Sequence, residues 1–268
     1  MTKKTKIIAV ANQKGGVGKT TTVVNLAAAL SRQHRTVLVV DLDPQANATC
    51  SLGLEKQGGV SMLSCLMGEM EIADVIQPTP YDNLNVIPSE IDLMAAELEL
   101  ARREDRVGAV KAIMDPIRES QVFDYIIYDC PPSFGFLMTS ALAAADSILV
   151  PMQAEFLALE GLGNITGRVV QPLKDAGLVG ADFGIGGVLF TMVDNRTLLA
   201  KQGQCIVEFG HTGNELRMNG VNIVLALLPC GSRLTGGVRL CGEDIQLPRC
   251  QPFQRCTDGC EVGRGGIG

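Results

Sequence analysis

The sequence predicts an α/β fold, a mostly parallel sheet with helices on both faces. Three observations carry that prediction. Short apolar runs rich in β-branched residues alternate along the chain with helical patterns. A glycine loop joins the first apolar run to the first helical pattern. Later runs end in aspartates, as strands do when their carboxyl ends gather around a ligand.

The first run is Ile7-Ile8-Ala9-Val10-Ala11, and the helical pattern spans Thr20 to Arg32. Between them stands Lys14-Gly15-Gly16-Val17-Gly18-Lys19-Thr20, followed by Thr21. Strand, glycine loop and helix in that order make a phosphate-binding loop. Glycines let the backbone take positive φ and turn several N–H groups into one concavity, and the helix start adds its positive dipole end. Lys19 is placed to meet β- and γ-phosphates and the Thr20 hydroxyl to ligate Mg²⁺. The general pattern opens with Gly six residues before this lysine, where the chain has Gln13. It carries a second lysine instead, Lys14. Two unit charges about 4 Å apart repel by roughly 4 kcal/mol at an effective dielectric of ~20. Two ammonium groups at one loop therefore need a strongly anionic ligand between them, unless Lys14 is simply a solvated loop residue.

Val37 to Val40 is the second buried run and ends in Asp41 and Asp43, where Pro44 stops it. Gln45 to Gly59 reads as a polar loop, with short helical patterns near Ser61–Met67 and Glu71–Ile76. Asn83–Ile87 reads as a strand. Ile91–Arg106 and Val107–Ser120 read as helix, the latter interrupted by Pro116. Tyr125 to Tyr128 is a strand ending in Asp129, a residue suited to holding Mg²⁺ through water. A helix from about Met138 to Ala145, a strand over Ser147–Met152, a helix over Leu159–Asp175 containing Pro172, and a strand over Gly186–Val193 complete the alternation. Singly, each aspartate could be no more than a strand-end turn residue.

These residues resemble those of the deviant Walker A ATPases, and within them the ParA/Soj partitioning proteins. The resemblance rests on the glycine loop and three further segments. They are Val37 through Asp41, Asp43, Pro44, Gln45 and Asn47; Phe123 through Asp129, Cys130, Pro131, Pro132 and Ser133; and Ile148 to Pro151, Glu155, Ala158 to Leu162 and Gly187 to Thr197. It covers roughly residues 5 to 201 and implies the P-loop NTPase fold, with residues 1–201 as the ATPase core and 202–268 a divergent segment of the same domain. It further implies ATP and Mg²⁺ as cofactors and a homodimer bridged by ATP. In that family Asp129 matches the Walker B aspartate, Asp43 the residue positioning the attacking water, and Asp41 a carboxylate beside Mg²⁺. Lys14 matches the lysine that crosses to the partner's ATP. The implied role is chromosome or plasmid partitioning, with non-specific DNA binding, hydrolysis stimulated by a ParB-like centromere-binding protein, and a cytoplasmic, nucleoid-associated location.

Composition fits. The chain has 268 residues, 46% of them hydrophobic, with no Trp and 4% aromatics, a poor stock for stacking single-stranded nucleic acid. No apolar run reaches membrane-spanning length; Phe136 to Val150 is broken by Asp146. Net charge is −6, so DNA binding needs a local basic patch. By resemblance Arg196 is its candidate, with Arg168 and Lys201 as neighbours, although each could equally be an ordinary solvated charge.

After Lys201 the character changes. There is no further lysine, one alanine (Ala226), and six of the nine cysteines: Cys205, Cys230, Cys241, Cys250, Cys256 and Cys260. The family would end in an Ile-Pro-Arg strand and a closing amphipathic helix. Here Leu228-Pro229-Cys230 is the nearest match. Three explanations stand: a zinc site on Cys241, Cys250, Cys256 and Cys260, a disulfide-stapled tail, or a shift of coding frame near residue 202. A frame shift accounts for the change in Lys, Ala and Cys usage together. Other readings are a MinD-like membrane-associated division-site ATPase, which would need a basic amphipathic terminal helix, the iron–sulfur reductase branch of the superfamily, and a decayed product that binds nucleotide only.

Overall fold

The structure is a computed structural model and describes residues 4–55, 58–100, 102, 106–153 and 158–193, with short strand segments further along the chain. An eight-stranded sheet organises it. Its strands are β1 (Lys6–Val10), β2 (Val37–Asp41), β3 (Gln77–Pro78), β4 (Leu84–Ile87), β5 (Tyr125–Asp129), β6 (Ser147–Gln153), β7 (Ile185–Val193) and the segment Leu227–Pro229. Across the sheet the order is Leu227–Pro229, β7, β6, β1, β5, β2, β4, β3. Every neighbouring pair is parallel except β3 with β4 at the edge. The tail therefore adds one strand to the sheet, drawn from the apolar run that ends at Leu228-Pro229.

The side chains of each central strand alternate between two cores, which is why these runs are continuously apolar. Ile8, Val10, Val37, Val39 and Ile127 pack with Val23, Leu26, Ala27 and Leu30 of α1 (Lys19–Arg32) and Ala48 of α2 (Asn47–Ser51). Ile7, Ala9, Leu38, Val40, Ile126 and Tyr128 pack on the other face. There they meet α3 (Met62–Leu66), α5 (Ala109–Ser120) and α6 (Phe136–Ala144). Helices thus cover both faces, as the alternation predicts. The remaining helices are α4 (Leu93–Leu100), α7 (Ala158–Ile165) and α8 (Gln171–Asp175).

Two expectations about elements change, and a third gains detail. The loop read over Gln45–Gly59 contains α2, entered through Ala46 at φ 52. Five residues with three polar side chains give too short a period for a sequence pattern to reveal. The helix read over Ile91–Arg106 is the shorter α4, with a separate 3₁₀ turn at Arg106–Gly108. The helix read over Leu159–Asp175 is helical throughout, as α7, a π turn at Thr166–Val170 and α8, so that expectation holds with a change of winding just before Pro172. Proline lacks the N–H that the helical ladder needs, and the winding changes immediately before it, where helices commonly adjust.

Candidate phosphate and metal site

Register builds the site. Val10 pairs with Asp129, and Asp129 pairs with Asp41, so three neighbouring strands end in one row at the carboxyl edge. The glycine loop leaves β1 directly above that row. Gly16 (φ 72) and Gly18 (φ 87) turn it in the left-handed region that favours glycine. Gly18 is also the residue before α1, and no side chain caps the helix there, which leaves its first N–H groups aimed into the loop. A Cβ on Gly15 or Gly16 would meet nothing within 4 Å, so the cradle is open.

The loop is braced from outside. The Thr191 hydroxyl on β7 donates to the Val17 carbonyl at 2.7 Å. Asn12 receives the Lys14 N–H at 3.0 Å and donates its own amide to the Pro151 carbonyl at 2.7 Å. The two lysines separate sharply. Lys19 is buried, and its ammonium donates to the Lys14 carbonyl at 3.3 Å. Burial lowers its pKa, against the opposing pull of Asp129 and Asp43 nearby. Lys14 is exposed, and its ammonium donates to Gln153 Oε1 on β6 at 2.9 Å. Thr20 is half-buried beside the cradle and Thr21 is exposed.

The three aspartates behave differently. Asp129 is fully buried, yet neither carboxylate oxygen has a hydrogen-bond partner. Burial and the Asp41 charge raise its pKa well above the carboxylate range. The nearby Thr20 hydroxyl pulls it down without completing a bond to either oxygen. A buried, unsatisfied carboxylate costs stability, and a divalent cation is the ligand that repays it. Asp41, equally buried, is well satisfied. Its Oδ2 accepts the Thr49 N–H and the Thr49 hydroxyl, both at 2.8 Å, and its Oδ1 accepts the Asp43 N–H at 3.1 Å. Burial raises its pKa to about 6, with these bonds opposing. Asp43 sits at the rim and accepts the Gln45 N–H at 3.0 Å. An ionic ligand with phosphates over the loop and Mg²⁺ over Thr20 and Asp129 fits this donor set.

Comparison with known proteins gives the family. A family model described as an AAA domain matches residues 5–176. The chain is 46% identical over 200 residues to the sporulation initiation inhibitor protein Soj of Bacillus subtilis, covering 74% of this chain and 76% of Soj. It is 43% identical over 199 residues to the chromosome partitioning protein ParA of Myxococcus xanthus, covering 74% and 68%. The chain belongs to the ParA/Soj family of partitioning ATPases. Its fold is the P-loop NTPase fold. Among solved structures it resembles a cobyrinic acid a,c-diamide synthase from Mycobacterium smegmatis with bound ADP and magnesium, at TM-score 0.68 and 38% identity over 76% of this chain and 82% of that one.

Against the ParA/Soj expectations, the structure brings together Lys14, Gly15, Gly16, Val17, Gly18, Lys19, Thr20, Asp41, Asp43 and Asp129 at one sheet edge. Arg168 lies exposed on the π turn. Arg196, Lys201, Glu155 and the tail cysteines lie outside the described residues. Among the described residues no cluster of three His, Cys, Asp or Glu could hold a metal, and no helix is long and apolar enough to cross a membrane. Cys130 is the small buried strand-end residue its position predicts, and burial pushes its thiol pKa up. Sequence reasoning gave no role to Asn12, Thr49, Gln153 or Thr191. Each acts through a hydrogen bond to a residue of the loop or of the aspartate row, a relation that chain order does not display.

Proposed function

We propose that this chain is a partitioning ATPase whose nucleotide sets its subunit state. As a ParA/Soj member it is an ATPase that uses ATP with Mg²⁺. In this reading the loop N–H groups and Lys19 hold the β- and γ-phosphates, while Thr20 and Asp129 hold Mg²⁺. Mg²⁺ supplies charge neutralisation across the phosphates when bound. Asp43 orients the attacking water, and Lys14 leaves Gln153 to reach the ATP of a second subunit. The observation that supports this most is the pair of unpartnered Asp129 oxygens under an uncapped helix start.

The wider role follows from the family. ATP bridges a homodimer, the dimer binds DNA without sequence preference through a basic patch that includes Arg196, and a ParB-like partner stimulates hydrolysis. The protein is then cytoplasmic and nucleoid-associated. Sedimentation with ATP, with ADP and without nucleotide tests the gate. A dimer with ATP alone supports it, and one unchanging species in all three conditions contradicts it. DNA retention that falls with salt and is lost in Arg196→Ala tests the patch.

The same reading takes residues 1–201 as the ATPase core and 202–268 as a divergent segment produced by a shifted frame. Translating the coding DNA in its other frames tests this. Restoration of an Ile-Pro-Arg strand and a terminal amphipathic helix is expected, and their absence from every frame contradicts it.

A further inference from the structure

We propose that Thr49 is a positioning residue for ATP hydrolysis, acting through Asp41 on Asp43. Thr49 lies in α2 and is completely buried. Its hydroxyl has a single proton, and the geometry fixes where that proton goes. Oγ1 accepts the Ser89 N–H at 3.1 Å and donates to Asp41 Oδ2 at 2.8 Å. The Thr49 N–H lands on the same oxygen at 2.8 Å. Two donors from one residue thus pin one carboxylate oxygen, and the other oxygen is turned toward Asp43, whose N–H it accepts at 3.1 Å.

The result is a continuous chain from the backbone beyond β4, through Thr49 and Asp41, to the backbone of Asp43. The next turn is set as well: Gln45 N–H donates to Asp43 Oδ1 at 3.0 Å and Ala46 N–H to the Asp43 carbonyl at 2.8 Å. Asp43 stands on a short connection between β2 and α2, and such a connection holds its shape only through bonds of this kind. A reacting group displaced by about an ångström loses on the order of a hundredfold in rate. Removing the Thr49 hydroxyl takes one of the two Thr49 donors from Asp41 Oδ2, leaving the backbone N–H alone to hold it, and leaves the Ser89 N–H without its acceptor, while the glycine loop and Lys19 are untouched. The defect therefore falls on turnover and spares nucleotide binding.

This inference rests on the role given to Asp43 above. The test compares steady-state ATP hydrolysis, KM for Mg-ATP and melting temperature in the full chain and in Thr49→Val, Thr49→Ser, Thr49→Ala and Asp43→Ala. Valine keeps the shape and loses the hydroxyl; serine keeps the hydroxyl and loses the methyl. We expect kcat to fall about tenfold or more in Thr49→Val with KM within twofold, and Thr49→Ser to recover most of the parent kcat. If valine is not tolerated in the fold, Thr49→Ala is expected to show the same loss. A parental kcat in the folded valine or alanine variant, or an equal loss in serine, overturns the proposal. Full activity in Asp43→Ala instead overturns the role of Asp43 itself, so the two failures are told apart.

Discussion

At the residue scale Asp129 is a cost to the nucleotide-free fold. Asp129 keeps two oxygens unpaired next to a second buried carboxylate. Replacing it by Asn removes the repulsion with Asp41 and supplies a donor. Desolvation of an unsatisfied group costs about 1–3 kcal/mol, so nucleotide-free Asp129→Asn should melt about 2–4 °C or more above the parent, measured by calorimetry. The same variant should lose Mg-dependent ATP hydrolysis. The pKa shifts add a sign. Asp41 at about 6 and Asp129 well above its usual range bind protons more tightly folded than unfolded. Each contribution to nucleotide-free stability is therefore greatest at low pH and falls as pH rises, for Asp41 from about 4 through 6. Melting temperatures across that window should fall more steeply in the parent than in Asp129→Asn. Lys19→Ala removes a buried charged donor of roughly 1.5–3 kcal/mol and should weaken ATP binding about 10–100-fold by calorimetric titration.

At the element scale the glycine loop is the part that only glycine accommodates without strain. Gly18 holds φ 87 at the start of α1 and stands close to Thr191. An alanine there pays roughly 1–2 kcal/mol for the left-handed backbone. Gly18→Ala should lower the midpoint of denaturant unfolding and weaken ATP binding together, because one conformation serves both. This scale also shows what the sequence makes legible. Runs such as Val37–Val40 and Tyr125–Tyr128 are readable because burial on both faces favours apolar side chains at every position before the terminal aspartate. The glycine loop is readable because phosphate binding needs a fixed spacing. The five-residue α2 is not, and neither is the π turn before Pro172, since both depend on tertiary support. The braces at Thr191, Asn12 and Thr49 join residues up to 174 positions apart, and no local pattern encodes them.

At the scale of the whole molecule, the two lysines of one loop point in different directions. Lys19 faces inward beside Asp129 and Asp43, and Lys14 faces outward, bonded to Gln153. In the proposed reading both serve one anionic ligand, Lys19 in its own subunit and Lys14 across to a second. ATP must then bind the folded state and raise its melting temperature, and a rise of several degrees with saturating Mg-ATP is expected. Sedimentation of Asp43→Ala, which should bind Mg-ATP without turning it over, is the most direct test of an ATP-bridged dimer. Such a dimer predicts a species of twice the monomer mass with Mg-ATP and monomer with ADP, with Lys14→Ala in that background returning the ATP form to monomer. A dimer that persists without Lys14, or a monomer in every nucleotide, would contradict it.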